Sequence, residues 1–329
     1  MCVQPAGGRL RHGSSAMSYQ PSAVRPSGSG PQSGLPALGL GAVTAVIFAH
    51  AACDLFPGYV APLLRYLKSS WELSRFQTAL LALPSSLMII FQPLIGLFAD
   101  RMRTRAFVVG GLLASALGYG TALPLAGTIG AGSGYWLALA GMRIGAAGVS
   151  AYHPQGAALS GCARTGQSGR GPVAFFVFGG TVGYAAGLFV PPLFISEPGN
   201  IKWIPALTIV AAAALVCQFF VPRLRPRGER LRAPQLGEVF SRLVRDVRPV
   251  LGPLSVFWLM VVLRAVTVQG FTQFTSILLG ETLGLSALAG AAAVAGFFMA
   301  QALAAPPAAW LAERFGERLV LAAGLHGLP

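Results

Sequence analysis

The chain has 329 residues, 54% of them hydrophobic and 10% charged, with a mean hydropathy of +0.64 and a formal net charge of +14. Soluble globular domains carry about 25% charged residues, so this composition excludes one and points to a membrane protein with many spans. The positive charge does not mark a nucleic-acid binder, because it sits in short segments between apolar runs.

Residues 1–36 are rich in Gly, Ser, Pro and Arg and hold no apolar core. They read as a disordered tail, neither a signal peptide nor a span, with Met17 an alternative start. A spanning helix needs about 20 apolar residues. Eight runs qualify: Leu38–Leu64, Phe76–Ala99, Ala106–Gly127, Tyr135–Tyr152, Pro172–Ile195, Trp203–Val221, Val250–Leu279 and Leu285–Leu311. A ninth begins at Leu319 and reaches Pro329 with too few residues to cross. The runs are rich in Gly, Ala and Pro, as close helix packing in lipid favours. Pro57-Gly58, Pro191-Pro192 and Gly270 are candidate kinks. Cys2, Cys53, Cys162 and Cys217 are scattered, without metal or disulfide spacing.

Orientation follows the Lys/Arg bias. With the amino terminus inside, 18 of the 24 basic residues fall on the inner side and four on the outer. Eight of the inner ones are the arginines of Arg223–Arg248, the longest loop. That loop sets topology; binding of anionic lipid head groups is its alternative use.

Ionisable residues inside spans are costly in hydrocarbon and usually face a cavity. His50 and Asp54 are one helical turn apart on the first span and share a face. They either form a functional pair or a hydrogen bond that only locks helices. Arg143 lies mid-span in the fourth run and Arg264 in the seventh, each a candidate substrate contact or a structural ion pair, Arg143 with Asp54 for example. Gln269 and Gln273 follow Arg264 and add hydrogen-bonding capacity. His153-Pro154 at the end of the fourth run reads first as helix termination by proline. Gly179, Gly180 and Gly183 read as a close-packing surface, not a nucleotide loop, since no Gly-Lys-Ser/Thr follows.

One stretch occurs twice. Adding 213 to each number takes Pro93 to Pro306, Ala99 to Ala312, Asp100 to Glu313, Arg101 to Arg314 and Arg105 to Arg318. Each copy is a charged hairpin between two apolar runs, so the chain carries an internal duplication. Gly96 belongs to the first copy, and Ala309 stands at the matching place in the second.

This duplicated hairpin resembles the motif of the major facilitator superfamily of transporters, built from two parallel six-helix repeats. Further residues resemble its fosmidomycin-resistance branch of proton-coupled efflux antiporters: His50-x-x-x-Asp54, Phe91-Gln92-Pro93-Leu94, Tyr152-His153-Pro154-Gln155-Gly156 and Phe178-Gly179-Gly180-x-x-Gly183. Gln155 stands where that branch often has Glu.

The resemblance implies an all-α polytopic fold with a six-helix amino-terminal half at 37–222, a basic cytoplasmic linker at 223–249 and an incomplete carboxy-terminal half at 250–329. It implies a cytoplasmic tail, an inner-membrane location, and a gate formed by Gly96, Asp100, Arg101, Arg105, Glu313, Arg314 and Arg318. Asp54 is then the proton-coupling acid and His50 its partner. The expected function is proton-coupled efflux of a small anionic or zwitterionic compound such as a phosphonate. The partners are that compound, protons and the bilayer, with no nucleic acid, no cofactor and no metal. Alternatives are a truncated, non-transporting remnant and a membrane-embedded enzyme using His50 and Asp54.

Overall fold

The computed structural model describes residues 40–99, 104–161, 170–195, 200–219 and 248–326, and every regular element among them is helical. Helix α1 (Leu40–Leu55) passes through a 3-10 turn at Pro57–Tyr59 into α2 (Val60–Ser70). Helix α3 covers Arg75–Ala99. Helix α4 (Thr104–Ser115) continues through a π-helical stretch at Ala116–Ala122 into α5 (Leu123–Ala126). Helices α6 (Ala131–Gly161) and α7 (Arg170–Ile195) follow. A 3-10 segment at Asn200–Thr208 leads into α8 (Ile209–Gln218). Then come α9 (Leu251–Leu283), α10 (Ala287–Phe315) and α11 (Glu317–His326).

Six described helical segments are long and apolar enough to cross a membrane: Leu40–Ser70, Ala106–Ala126, Gly171–Ile195, Asn200–Gln218, Leu251–Leu283 and Ala287–Phe315. Helices α3 and α6, of 25 and 31 residues, cover the two other expected runs. Both are long enough for a 30 Å hydrocarbon core at about 1.5 Å per residue.

The local signals act in different ways. Pro57 interrupts the first span as expected, because it lacks an N–H and opens the ladder into a 3-10 turn. Pro191 and Pro192 lie inside α7, and Gly270 lies inside α9. Pro154 corrects the sequence reading: α6 runs through it to Gly161, so His153-Pro154 does not end the helix. The α9–α10 turn is set by Gly284 at φ +65 and by Ser286, whose Oγ accepts from the Ala289 N–H at 3.1 Å.

Helix α1 is the centre of the core. Its backbone carbonyls accept from three buried side chains: Ser115 Oγ to Cys53 O at 3.0 Å, Tyr152 OH to Val46 O at 3.2 Å, and Gln218 Nε2 to Ala45 O at 3.1 Å. In a hydrocarbon solvent such polar ties and close backbone approach drive association. Helix α7 lies against α1 along a glycine seam. A Cβ on Gly183 would meet the Ala51 carbonyl, and one on Gly187 the Leu55 carbonyl. The close packing expected of this glycine run is therefore present.

Helix α10 packs along α7, with Tyr184 and Phe298 ring centroids 4.5 Å apart and Ala291, Val294 and Ala295 set against Ala61, Ala185 and Leu188. At the α2 end, Arg65 reaches across to the α9–α10 turn. It donates to Ser276 O at 2.9 Å, Leu285 O at 2.6 Å and Ser286 O at 3.3 Å. Lys68 pairs with Glu281 beside it.

Candidate functional site

Asp54 sits on α1 between two imidazoles. His50, four residues earlier, places Nε2 at 3.2 Å from Asp54 Oδ2. His153, from α6, places Nε2 at 3.5 Å from Asp54 Oδ1. The two Nε2 atoms are 3.2 Å apart. The side chain that reaches Asp54 from α6 is thus His153, not Arg143, the ion-pair alternative considered from the sequence.

Each imidazole is held from behind. His50 Nδ1 lies 2.7 Å from Phe176 O, and His153 Nδ1 lies 2.7 Å from Val149 O. A carbonyl oxygen only accepts, so each Nδ1 carries a proton and each Nε2 is turned toward the carboxylate. The His50 ring also stacks on Phe176, with centroids 3.7 Å apart and planes 15° apart. A Cβ on Gly180 would strike the His50 ring, so that glycine makes room for it. These contacts tie α1 to α6 and α7.

The triad opens to a cavity of about 580 Å³. His50 and Asp54 side chains are 5% and 13% exposed while His153 is 29% exposed, so access comes chiefly past His153. Gln92 and Gly96 of α3, Pro154 of α6, Phe176 of α7, Arg264 of α9 and Gln301 of α10 complete much of the wall. The α3 and α6 residues lie toward the carboxy ends of their helices and Phe176 toward the amino end of α7, which is one end of the bundle. The Arg65 contacts close the opposite end.

A second cavity of about 150 Å³ adjoins Asp54 and His153 and is lined by Ser85, Tyr119, Gln269 and Gln273 among others. Ser85 Oγ and Tyr119 OH share a hydrogen bond of 2.8 Å, and Gln273 Nε2 donates to Gln269 Oε1 at 3.4 Å. Asp54, Gln92, His153 and Tyr184 line both spaces. Arg264 therefore lines the larger cavity, and Gln269 and Gln273 the smaller. Arg143 is exposed on α6 and lines neither cavity.

Of the expected gate, Gly96 lines the large cavity, and a Cβ on it would lie 3.4 Å from Pro154 Cβ. Asp100 and Arg101 lie outside the described residues, and Arg105 falls in the first turn of α4. Glu313 and Arg314 end α10, with the Arg314 guanidinium 5.5 Å from the Trp310 ring, and Arg318 begins α11. None of these three lines either cavity.

Residues 43–298 match the family model described as Major Facilitator Superfamily. The chain belongs to the major facilitator superfamily. Transporters of this superfamily are generally not enzymes, and this member is a multi-pass membrane protein. It is also similar to proteins described as a probable nitrate/nitrite transporter, NarK2, in two strains of Mycobacterium tuberculosis (CDC 1551/Oshkosh and ATCC 25618/H37Rv). In each case the identity is 32% over 157 residues, 46% of this chain and 37% of that protein. The chain thus spans well under half the length of the curated relatives it matches.

Proposed function

We propose that this superfamily member moves a small anionic or zwitterionic compound, an oxyanion such as a phosphonate, carboxylate or nitrate, and that the movement is coupled to protons. The observation that carries this reading is the cavity in which Arg264 shares a wall with the His50–Asp54–His153 triad. Arginine presents a planar fork of donors that suits oxyanions bidentately. The neutral glutamines beside it add donors without adding negative charge. Nitrate and nitrite, the ions for which the relatives are named, are of this oxyanion class. The residue pattern noted above resembles efflux antiporters, which favours outward movement against proton entry.

The triad is where we place the proton. Both Nδ1 atoms are committed to backbone carbonyls, so two Nε2 atoms and a carboxylate face one another at 3.2–3.5 Å. A proton on one Nε2 lets that ring donate to the carboxylate or to the other imidazole, so the three groups can share a proton. Alternating access then consists of rocking α9 and α10 against the rest, with the Arg65 contacts breaking as the cavity changes sides. With the amino terminus inside, the present cavity faces the cytoplasm.

The test is equilibrium binding to the purified protein of phosphonate, carboxylate and nitrate ions against lipophilic cations, in wild type and Arg264→Ala. Losing a charge-assisted hydrogen bond costs about 1.5–3 kcal/mol, so anion binding is expected to weaken about 10- to 100-fold. Cation binding that ignores Arg264→Ala, with no anion binding in wild type, overturns the reading.

A further inference from the structure

The structure assigns a second ligand to the triad: we propose that His50, Asp54 and His153 bind one divalent transition-metal ion of the zinc class, with its remaining coordination position open to the cavity.

The geometry is that of a metal site. Tetrahedral donors at about 2.0–2.1 Å from zinc stand about 3.3–3.4 Å from one another. The two Nε2 atoms are 3.2 Å apart, each approaches a different Asp54 oxygen at 3.2 and 3.5 Å, and one donor atom from each residue lies within 4.8 Å of the other two. A single ion between them draws these donors together by at most about 1.4 Å, which a turn of the Asp54 carboxylate can supply.

The surroundings agree independently. Histidines that hold a metal usually donate their other N–H to a carbonyl or carboxylate, which fixes the ring and raises its basicity. Both histidines do this, to Phe176 O and Val149 O, each at 2.7 Å. His50 is further clamped between its stack on Phe176 and the bare face of Gly180. Asp54 Oδ1 is buried and accepts no hydrogen bond, with His153 Nε2 3.5 Å away. Two imidazoles and one carboxylate select zinc, cobalt, nickel or copper over magnesium or calcium, which require oxygen donors. The fourth position faces the cavity of about 580 Å³, where water or an oxyanion can complete the shell.

The ion takes the place of the protons, so zinc and protonation are mutually exclusive at this site. This inference needs only the triad geometry and does not rest on the identity of the transported compound.

The experiment uses the full-length, tag-free protein in detergent, titrated with Co²⁺ and followed by visible d–d absorption. One equivalent is expected to give the intense bands of a four-coordinate N/O site, and Zn²⁺ is expected to displace it while Mg²⁺ does not. His50→Gln, His153→Gln and Asp54→Asn should each weaken binding more than about 100-fold, beyond the 10- to 100-fold of a lost supporting bond. His12→Gln and His326→Gln should leave it unchanged. A second measurement needs no variant: Zn²⁺ should protect His50 and His153 of the wild type from diethyl pyrocarbonate, read by mass spectrometry. Absence of the four-coordinate bands, or equal modification rates with and without Zn²⁺, overturns the proposal. Both readouts are independent of transport, so a transporter that moves anions yet binds no Co²⁺ refutes this inference and leaves the proposed function standing.

Discussion

A single side chain, His153, changes what the first span can do. With His50 and Asp54 alone, the site is a pair on one helix. With His153 it joins two helices, and its geometry depends on α6 continuing past Pro154. Proline lacks the N–H that would bond four residues back, so the Ser150 carbonyl is released from the ladder at this level. We expect His153→Gln to keep the fold, since α6 remains packed through Tyr152 and Gly156, but to reduce coupled transport as strongly as His50→Gln. The measurement is gradient-driven flux in proteoliposomes beside a size-exclusion profile. Normal flux in His153→Gln would remove this residue from the site. For Asp54→Asn the expectation is sharper: substrate exchange persists while uphill movement stops, because exchange requires no net change in the triad. Loss of expression would instead assign Asp54 to bracing the fold.

Helices meet through glycine here, and that makes their packing intolerant of small additions. On α7, Gly183 lies against the Ala51 carbonyl, and backbone cannot swing aside as a flexible side chain can. Gly183→Ala is expected to destabilise the protein by about 1–3 kcal/mol, the range for overpacking, seen as a lowered Tm in detergent. Gly252→Ala, with open space around its Cβ, is the matched control and should leave Tm unchanged. The α9–α10 turn is held by a different device. Arg65 spreads its donors over three carbonyls, and Lys68 pairs with Glu281 on the exposed rim, where an ion pair contributes little. Arg65→Ala should therefore open the sealed end far more than Lys68→Ala. Labelling of a cysteine placed at Gln273, in the smaller cavity, should quicken from that end by about fivefold or more, the scale of a 1 kcal/mol shift between two states. An unchanged rate would show that Arg65 does not hold the closure.

For the molecule as a whole, we propose from the arginine bias that the amino terminus is inside, and the helix order then gives every turn a side that can be tested. Gly130 and Gly161 stand at opposite ends of α6, both exposed. In a cysteine-free background, Gly130→Cys should react with a membrane-impermeant maleimide on intact cells, and Gly161→Cys only in inverted vesicles. The reverse pattern would invert the topology and with it the side to which the large cavity opens. The native Cys162 lies outside the described residues, and the proposed orientation predicts inner-side labelling for it as for Gly161. Helix α9 is apolar on nearly all faces and mostly exposed, with Thr272, Gln273, Ser276 and Ile277 its buried positions. Such a helix suits a lipid solvent.

Composition and hydropathy by themselves determined the class and almost every span, because a bilayer leaves only long apolar helices as a solution for the backbone. The acid–base hairpin repeated at one offset, with the residues around His50, Gln92 and His153, was enough to indicate the superfamily. His50 and Asp54 were legible as a pair because one helical turn separates them, and Arg264, Gln269 and Gln273 because they punctuate an apolar run. What the tertiary structure decided is which polar groups meet. His153 lies 99 residues from Asp54 in sequence, and no local periodicity links them; only the approach of α6 to α1 does. Arg143 carries the same cue as Arg264, a charge in mid-span, but faces away from both cavities. The rotation of a helix about its axis is set by its packing, here by glycines 141, 145 and 148 against α4 and the π-helical stretch, and not by the hydropathy of its residues.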